Sequence, residues 1–215
     1  MAKVKISALA NYNDALDATN LGADFLGFHF FSESPKKVSE KLASDVISKM
    51  PPFVSACGAF KDADHKQITK TVKKCGLKLV EFCGVESPEF CKAVGVSLNV
   101  KTLKQFKLTQ ESDILTLNEY KGNIDYFILD ITSMQNVDGA PEAGTRILNL
   151  NLAKNAETLS VPFFIAGDIT AQDILKISEV LSPFGFDGDI GIERLPKRKD
   201  YDKMNSFIRY AHGLK

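Results

Sequence analysis

The chain has 215 residues, is 44% hydrophobic and 25% charged, and balances 27 Lys+Arg against 27 Asp+Glu. Zero formal charge argues against the one-sided basic surface that nucleic acid or an acidic membrane would select. No apolar run reaches the ~18 residues of a membrane span. Met1 to Leu9 has no signal-peptide pattern, so one cytoplasmic globular domain over residues 1–215 is expected.

Strand and helix alternate from the start. Val4–Leu9 reads as a short apolar strand, followed by a helix capped by Asn11 and stopped at Gly22. Phe25–Phe31 is the second strand. Its helix opens near Ser39, with Glu40 in the first turn, and ends before Pro51-Pro52. Phe53–Phe60 is the third strand, and the next helix follows Asp62 or Asp64 and stops at Gly76. Leu77–Gly84 is the fourth, after which Ser87-Pro88-Glu89 supplies a cap and a first-turn proline. Val96–Lys101 is predicted as the fifth strand, with the fifth crossover between Leu103 and Asn123. Tyr126–Ile131 is the sixth. The polar segment Ser133–Arg146, with two glycines and a proline, reads as a long mobile loop. Phe163–Gly167 is the seventh strand, and Thr170-Ala171-Gln172-Asp173 has capping-box spacing. Phe186–Ile192 is the eighth. Asp200 caps a last helix whose apolar stripe is Met204, Phe207, Ile208 and Ala211.

Such alternation specifies an α/β fold with an all-parallel sheet. Eight units allow the sheet to close as a single-domain (β/α)8 TIM barrel, with chemistry on the loops after the strands. Strand parity places Lys5 and Ser7, Glu81 and Cys83, Ser97, Asn99 and Lys101, and Ile128 and Asp130 towards the barrel interior. The mouth is therefore a polar cleft suited to a small molecule. Cys57, Cys75, Cys83 and Cys91 lack CxxC spacing and read as reduced thiols, and His29, His65 and His212 are scattered. Neither a metal site nor a cofactor is expected. Lys197-Arg198-Lys199 reads as a solvated loop, with a small anion contact as the alternative, and Glu193 as a rim charge.

A collinear set of segments carries a resemblance. It comprises Lys5-Ile6-Ser7-Ala8-Leu9, Asp14-Ala15-Leu16, Leu21-Gly22-Ala23-Asp24, Leu26-Gly27-Phe28, Ser34-Pro35-Lys36-Lys37-Val38-Ser39, Pro52-Phe53-Val54 and Gly84-Val85-Glu86-Ser87-Pro88-Glu89-Phe90-Cys91. Phe127-Ile128-Leu129-Asp130, Pro162-Phe163-Phe164-Ile165-Ala166-Gly167 and Pro183-Phe184-Gly185-Phe186-Asp187 complete it. In order and spacing the set resembles the phosphoribosylanthranilate isomerase family, which performs an Amadori rearrangement of an aminoaldose to an aminoketose in tryptophan biosynthesis. The resemblance implies Asp130 as general acid and the position of Ser7 as that of the general base, where the family has cysteine. It implies substrate binding at Lys36, Cys83, Gly167, Asp168, Asp189 and Gly191, and a monomer or homodimer.

The departures from the family pattern carry chemistry. A hydroxyl at Ser7 has a far higher pKa than a thiol and needs an activating partner. Lys5 shares its face but reads as a structural charge. Ala8 replaces a family glycine. Lys36 replaces an arginine, keeping the charge without the planar fork. Cys83 replaces a histidine. Gly167-Asp168 and Asp189-Ile190-Gly191 place a carboxylate in each loop where the family holds phosphate. A carboxylate ~5 Å from a phosphate dianion costs on the order of 5 kcal/mol at an effective dielectric of ~20. Asp168 either caps the following helix or faces inward, and parity with Asp187 turns Asp189 inward. Glu81 either joins Asp130 as an acid–base pair or pairs with Lys5 or Lys101. Three readings stay open: an isomerase with an unusual base, a non-catalytic barrel serving in binding or assembly, and a changed enzyme for a neutral or cationic ligand.

Overall fold

The computed structural model describes residues 1–137 and 140–213. Eight parallel strands close into one barrel: β1 (Lys3–Ile6), β2 (Phe25–His29), β3 (Ser55–Phe60), β4 (Leu79–Phe82), β5 (Lys101–Lys107), β6 (Tyr126–Asp130), β9 (Phe163–Ala166) and β10 (Gly185–Gly188). The hydrogen-bonded order is β1-β10-β9-β6-β5-β4-β3-β2, returning to β1. Helices α1 (Tyr12–Leu21), α2 (Glu40–Ile47), α3 (His65–Cys75), α4 (Pro88–Leu98), α5 (Ser112–Glu119), α6 (Leu150–Glu157), α7 (Ala171–Ser178) and α8 (Tyr201–His212) form the crossovers and the C-terminal cover. Parallel neighbours need such crossovers, which bury both faces of every strand.

The helix starts follow local chemistry. Asn11, Ser39, Asp64 and Ser87 each accept a hydrogen bond from a backbone N–H in the first turn, and Asp200 accepts two. Thr170 and Asp173 form the reciprocal box at α7. The cap is thus the Thr170 box that the spacing predicted, and not Asp168, for which a cap was one of two alternatives. Outside the barrel, one large cluster joins the outward strand residues to the helices, including Val4, Ile6, Phe28, Phe60, Phe82, Phe127, Ile165 and Phe207. Inside it, Cys57, Leu79, Leu103, Ile128, Phe164 and Ala166 form a second cluster, extended by Phe25, Tyr126 and Phe184.

Three expectations are corrected. The fifth strand is Lys101–Lys107, not Val96–Lys101. The helix opened by Ser87-Pro88 continues to Leu98 and ends on Asn99 in the left-handed conformation, so Ser97 and Asn99 are not barrel residues. A short apolar alternation at a helix end imitates a strand. The described parts of the segment 133–146 are not an irregular loop. Strands β7 (Thr132–Val137) and β8 (Ala140–Leu148) pair antiparallel, with Thr132 opposite Leu148 and Met134 opposite Arg146. Between them, Asp138-Gly139, a residue pair whose sequence favours tight turns, lies outside the described residues. The eighth barrel strand also ends early: after Gly188 the chain turns through Asp189 into a 3-10 turn, Ile190–Ile192.

Candidate functional site

Ser7, Lys36, Cys83, Asp130, Gly167, Asp168, Asp189 and Gly191 all follow, or end, strands of one parallel barrel, so they share its C-terminal rim. Three connected groups make up that rim and the interior beneath it.

The first group is buried. Lys5 and Asp187 are register partners on β1 and β10. Lys5 Nζ, on a side chain 1% exposed, lies 2.8 Å from Asp187 Oδ2 and 2.7 Å from Glu81 Oε2 across the barrel. It also donates to Ser7 Oγ at 2.5 Å. Burial alone would lower the lysine pKa, but the Asp187 and Glu81 carboxylates outweigh it and hold the ammonium well above its ordinary value. Burial lifts the Asp187 carboxyl; Lys5 opposes that rise and Glu81 adds to it. Asp187 Oδ1 is buried without a hydrogen-bond partner. The thiols of Cys57 and Cys83 donate to the two oxygens of Glu81 at 3.9 and 3.7 Å. Burial first, and then the carboxylate, push both thiols up, so Cys83 stays protonated at neutral pH. Lys5 is thus a structural charge, and Glu81 belongs to it rather than to Asp130; Lys101 pairs with Asp125 instead. Ala8, next to Ser7, is held at φ 56°. That left-handed conformation costs a non-glycine residue roughly 1 kcal/mol.

The second group lies where the β2 and β10 loops meet. Lys36 Nζ and Lys199 Nζ converge on the same oxygen, Asp189 Oδ1, at 2.7 and 2.6 Å. Glu193 Oε1 adds contacts of 2.9 Å to Lys36 and 3.6 Å to Lys199. Burial would raise the Asp189 carboxyl, but Lys199 and Lys36 hold it below the usual range, and Asp189 and Glu193 raise Lys36 against its own burial. Lys199 sits on β12 (Arg198–Lys199), which pairs with β11 (Glu193–Leu195). It is therefore a buried partner and not part of a solvated loop. Glu193 likewise is an inner counter-ion rather than a simple rim charge. Nearby, His29 Nδ1 lies 2.8 Å from Ser34 Oγ, and its ring stacks on Phe31 at 5.0 Å. Burial, with Lys5 and Lys36 adding to it against Asp189 and Asp187, pushes the imidazole down to about 4.

The third group joins β6 to β9. Asp130 Oδ1 accepts from the backbone N–H of Thr132 at 3.0 Å and from its hydroxyl at 2.8 Å. The same hydroxyl accepts from Asp168 N–H at 3.2 Å. Gly167 has φ +112°, and a Cβ there would lie 2.3 Å from Asp130 Oδ1, so only glycine fits. Arg146 reaches from β8 to Asp168 O at 2.6 Å and to Asp173 at 3.0 Å. Gly191 closes the gap between the β9 and β10 loops, since a Cβ on it would meet Ile169 O at 2.0 Å. Among the described residues, Asp130 Oδ2 has no hydrogen-bond partner, and no hydrogen bond links Asp130 to Ser7.

The structure therefore joins Ser7 with Cys83 through Lys5 and Glu81, Lys36 with Asp189, and Asp130 with Gly167 and Asp168 through Thr132. Arg146, Thr132 and His29 were not singled out in the sequence as site residues, and Lys199 was read there as part of a solvated loop with an anion contact as the alternative. Parity along Phe25, Gly27 and His29 would have found His29.

Comparison with known proteins finds relatives over nearly the whole chain. The family described as N-(5'phosphoribosyl)anthranilate (PRA) isomerase matches residues 4–210. N-(5'-phosphoribosyl)anthranilate isomerase of Pelobacter propionicus is 33% identical, covering 98% of this chain and 96% of that protein. The Geobacter sulfurreducens protein of the same name is 32% identical over 99% of this chain and all of its own length. The crystal structure of phosphoribosyl anthranilate isomerase from Thermotoga maritima superposes with a TM-score of 0.87 at 25% identity, covering both chains fully. A crystal structure of a phosphoribosyl anthranilate isomerase in complex with reduced 1-(o-carboxyphenylamino)-1-deoxyribulose 5-phosphate matches at a TM-score of 0.85 and 25% identity over both full chains. By fold, by match over nearly its whole length and by identity to these relatives, the chain belongs to the phosphoribosylanthranilate isomerase family.

Proposed function

We propose that this cytoplasmic barrel binds a small neutral or cationic molecule at its C-terminal rim and does not carry out the family's Amadori rearrangement through residue 7. The observation that carries this reading is the 2.5 Å hydrogen bond from the Lys5 ammonium to Ser7 Oγ. The rearrangement needs a base at the sugar C2. Lys5 is held protonated between Asp187 and Glu81, so it cannot take the Ser7 proton, and the other neighbour of the hydroxyl, the Asp187 carboxylate, is itself bound to the Lys5 ammonium. Cys83 stays a thiol, and His29, with its pKa near 4, is a weak proton acceptor.

Ligand charge follows from the rim. The ligand named in the related complex contains a carboxyphenyl group and a phosphate. Here the cations that would meet such groups, Lys36 and Lys199, are already neutralised by Asp189 and Glu193. Arg146 is engaged by Asp173 and by Asp168 O. Asp130 and Asp168 remain on the β6–β9 side as carboxylates for a neutral or cationic partner. The test is complementation of a tryptophan auxotroph that lacks this isomerase. Expression of the wild-type chain should give no growth. Growth that is lost again in Asp130→Asn would contradict the reading and return the chain to the family reaction.

A further inference from the structure

We propose that Asp189 is the residue that fixes the charge class of the rim: its carboxylate is a tethered anion occupying an oxyanion site that Lys36 and Lys199 would otherwise form. The proposal deepens the reading of the rim given above and rests on it.

The geometry is that of a filled anion site. Two ammonium groups arrive from separate elements, Lys36 from the β2–α2 loop and Lys199 from β12. Both aim at one carboxylate oxygen, at 2.7 and 2.6 Å. The Lys199 side chain is 2% exposed and that of Lys36 is 11% exposed. Lys199 also donates to the Asp189 backbone carbonyl at 3.0 Å. Charges balance in the group: two lysines face Asp189 and Glu193. Lysines this buried keep their charge only beside an anion. Side-chain carboxylates and free oxyanions present the same acceptor chemistry to them. The difference is the tether. A carboxylate fixed one residue beyond β10 acts at an effective concentration of order millimolar or above, and a free phosphate must displace it while also facing Glu193. Without the Asp189 charge the same atoms would leave two ammonium groups against one carboxylate, a net positive pocket open at the rim.

Inorganic phosphate is the probe, titrated calorimetrically at low ionic strength and neutral pH. Wild-type protein should show no saturation up to tens of millimolar. Asp189→Ser should bind phosphate at least about tenfold more tightly than wild type, and the gain should vanish when Lys36→Met or Lys199→Met is added. Asp189→Asn, near-isosteric and still an acceptor, should show a smaller gain and provides the variant that keeps the local shape. No gain in either Asp189 variant overturns the proposal, as does a gain that survives both lysine substitutions. Should neither variant fold, wild-type protein against Lys36→Met decides: phosphate that raises the melting temperature in a Lys36-dependent way overturns the assignment, and an unchanged melting temperature supports it. The outcomes stay separate from the reading of Ser7. Growth of the auxotroph sinks that reading, whereas a missing phosphate gain sinks only the role of Asp189.

Discussion

Lys5 and Lys104 are both buried lysines on barrel strands, and they are satisfied in different ways. Lys104 points outward from β5. Its Nζ lies 2.9 Å from Glu86 Oε2 and donates to Gly84 O at 2.5 Å, near the rings of Phe106 and Tyr120. Glu86 also accepts from the backbone N–H groups of Asp62 and Gly84. One cation meets one anion, and each makes at least one further hydrogen bond to the backbone. Lys5 points inward and meets two carboxylates, and one oxygen of Asp187 is left without a partner. The outer pair is finished structure. The inner group carries one carboxylate more than packing requires and lies directly beneath the rim. Imbalance, rather than burial, separates the site from the scaffold.

Removing the Glu86 charge should break the outer pair outright. Glu86→Gln leaves Lys104 buried without a counter-ion and should cost about 3–5 kcal/mol, read from the midpoint of urea unfolding. The inner side should instead answer to pH. Unfolded, His29 takes up a proton near 6.5; folded, it does so only near 4. Across that window the unfolded chain binds more protons, so this residue makes stability rise with pH, by about 3 kcal/mol in total. His29→Gln should flatten the stability profile by that amount between pH 4 and 6.5; an unchanged profile would show that the ring is not held neutral. The smallest effect is the sharpest contrast. Glu81→Gln leaves Lys5 with Asp187 as a matched pair, and stability should stay within about 1 kcal/mol of wild type. A loss as large as that of Glu86→Gln would erase the distinction between the two lysines.

The parts legible in the sequence were local or periodic. Caps at Asn11, Ser39, Ser87, Thr170 and Asp200 depend on a few neighbouring residues. The inward direction of Lys5, Ser7, Glu81 and Asp130 follows from alternation along a strand. Strand β5 was hidden because Lys101, Lys104 and Lys107 make it look solvated, and only the distant Glu86 explains why Lys104 is buried. The β7–β8 hairpin was hidden because its polar composition outweighed the Asp138-Gly139 turn signal. The Lys36–Asp189 pair spans 153 positions, a distance that no local pattern reports. The sequence placed both groups at the rim but not in contact, so the neutralisation of the rim cations became visible only with the fold.

The most direct measurement is turnover of N-(5'-phosphoribosyl)anthranilate by purified wild-type protein beside Ser7→Cys. If the residue 7 hydroxyl withholds the base and Asp189 bars the phosphate, wild type and Ser7→Cys alone show no conversion above the uncatalysed rate, while Ser7→Cys combined with Asp189→Ser gains measurable conversion that Asp130→Asn removes. Steady turnover by the wild-type chain, undiminished in Ser7→Ala, would contradict the account by placing the base elsewhere in the mouth.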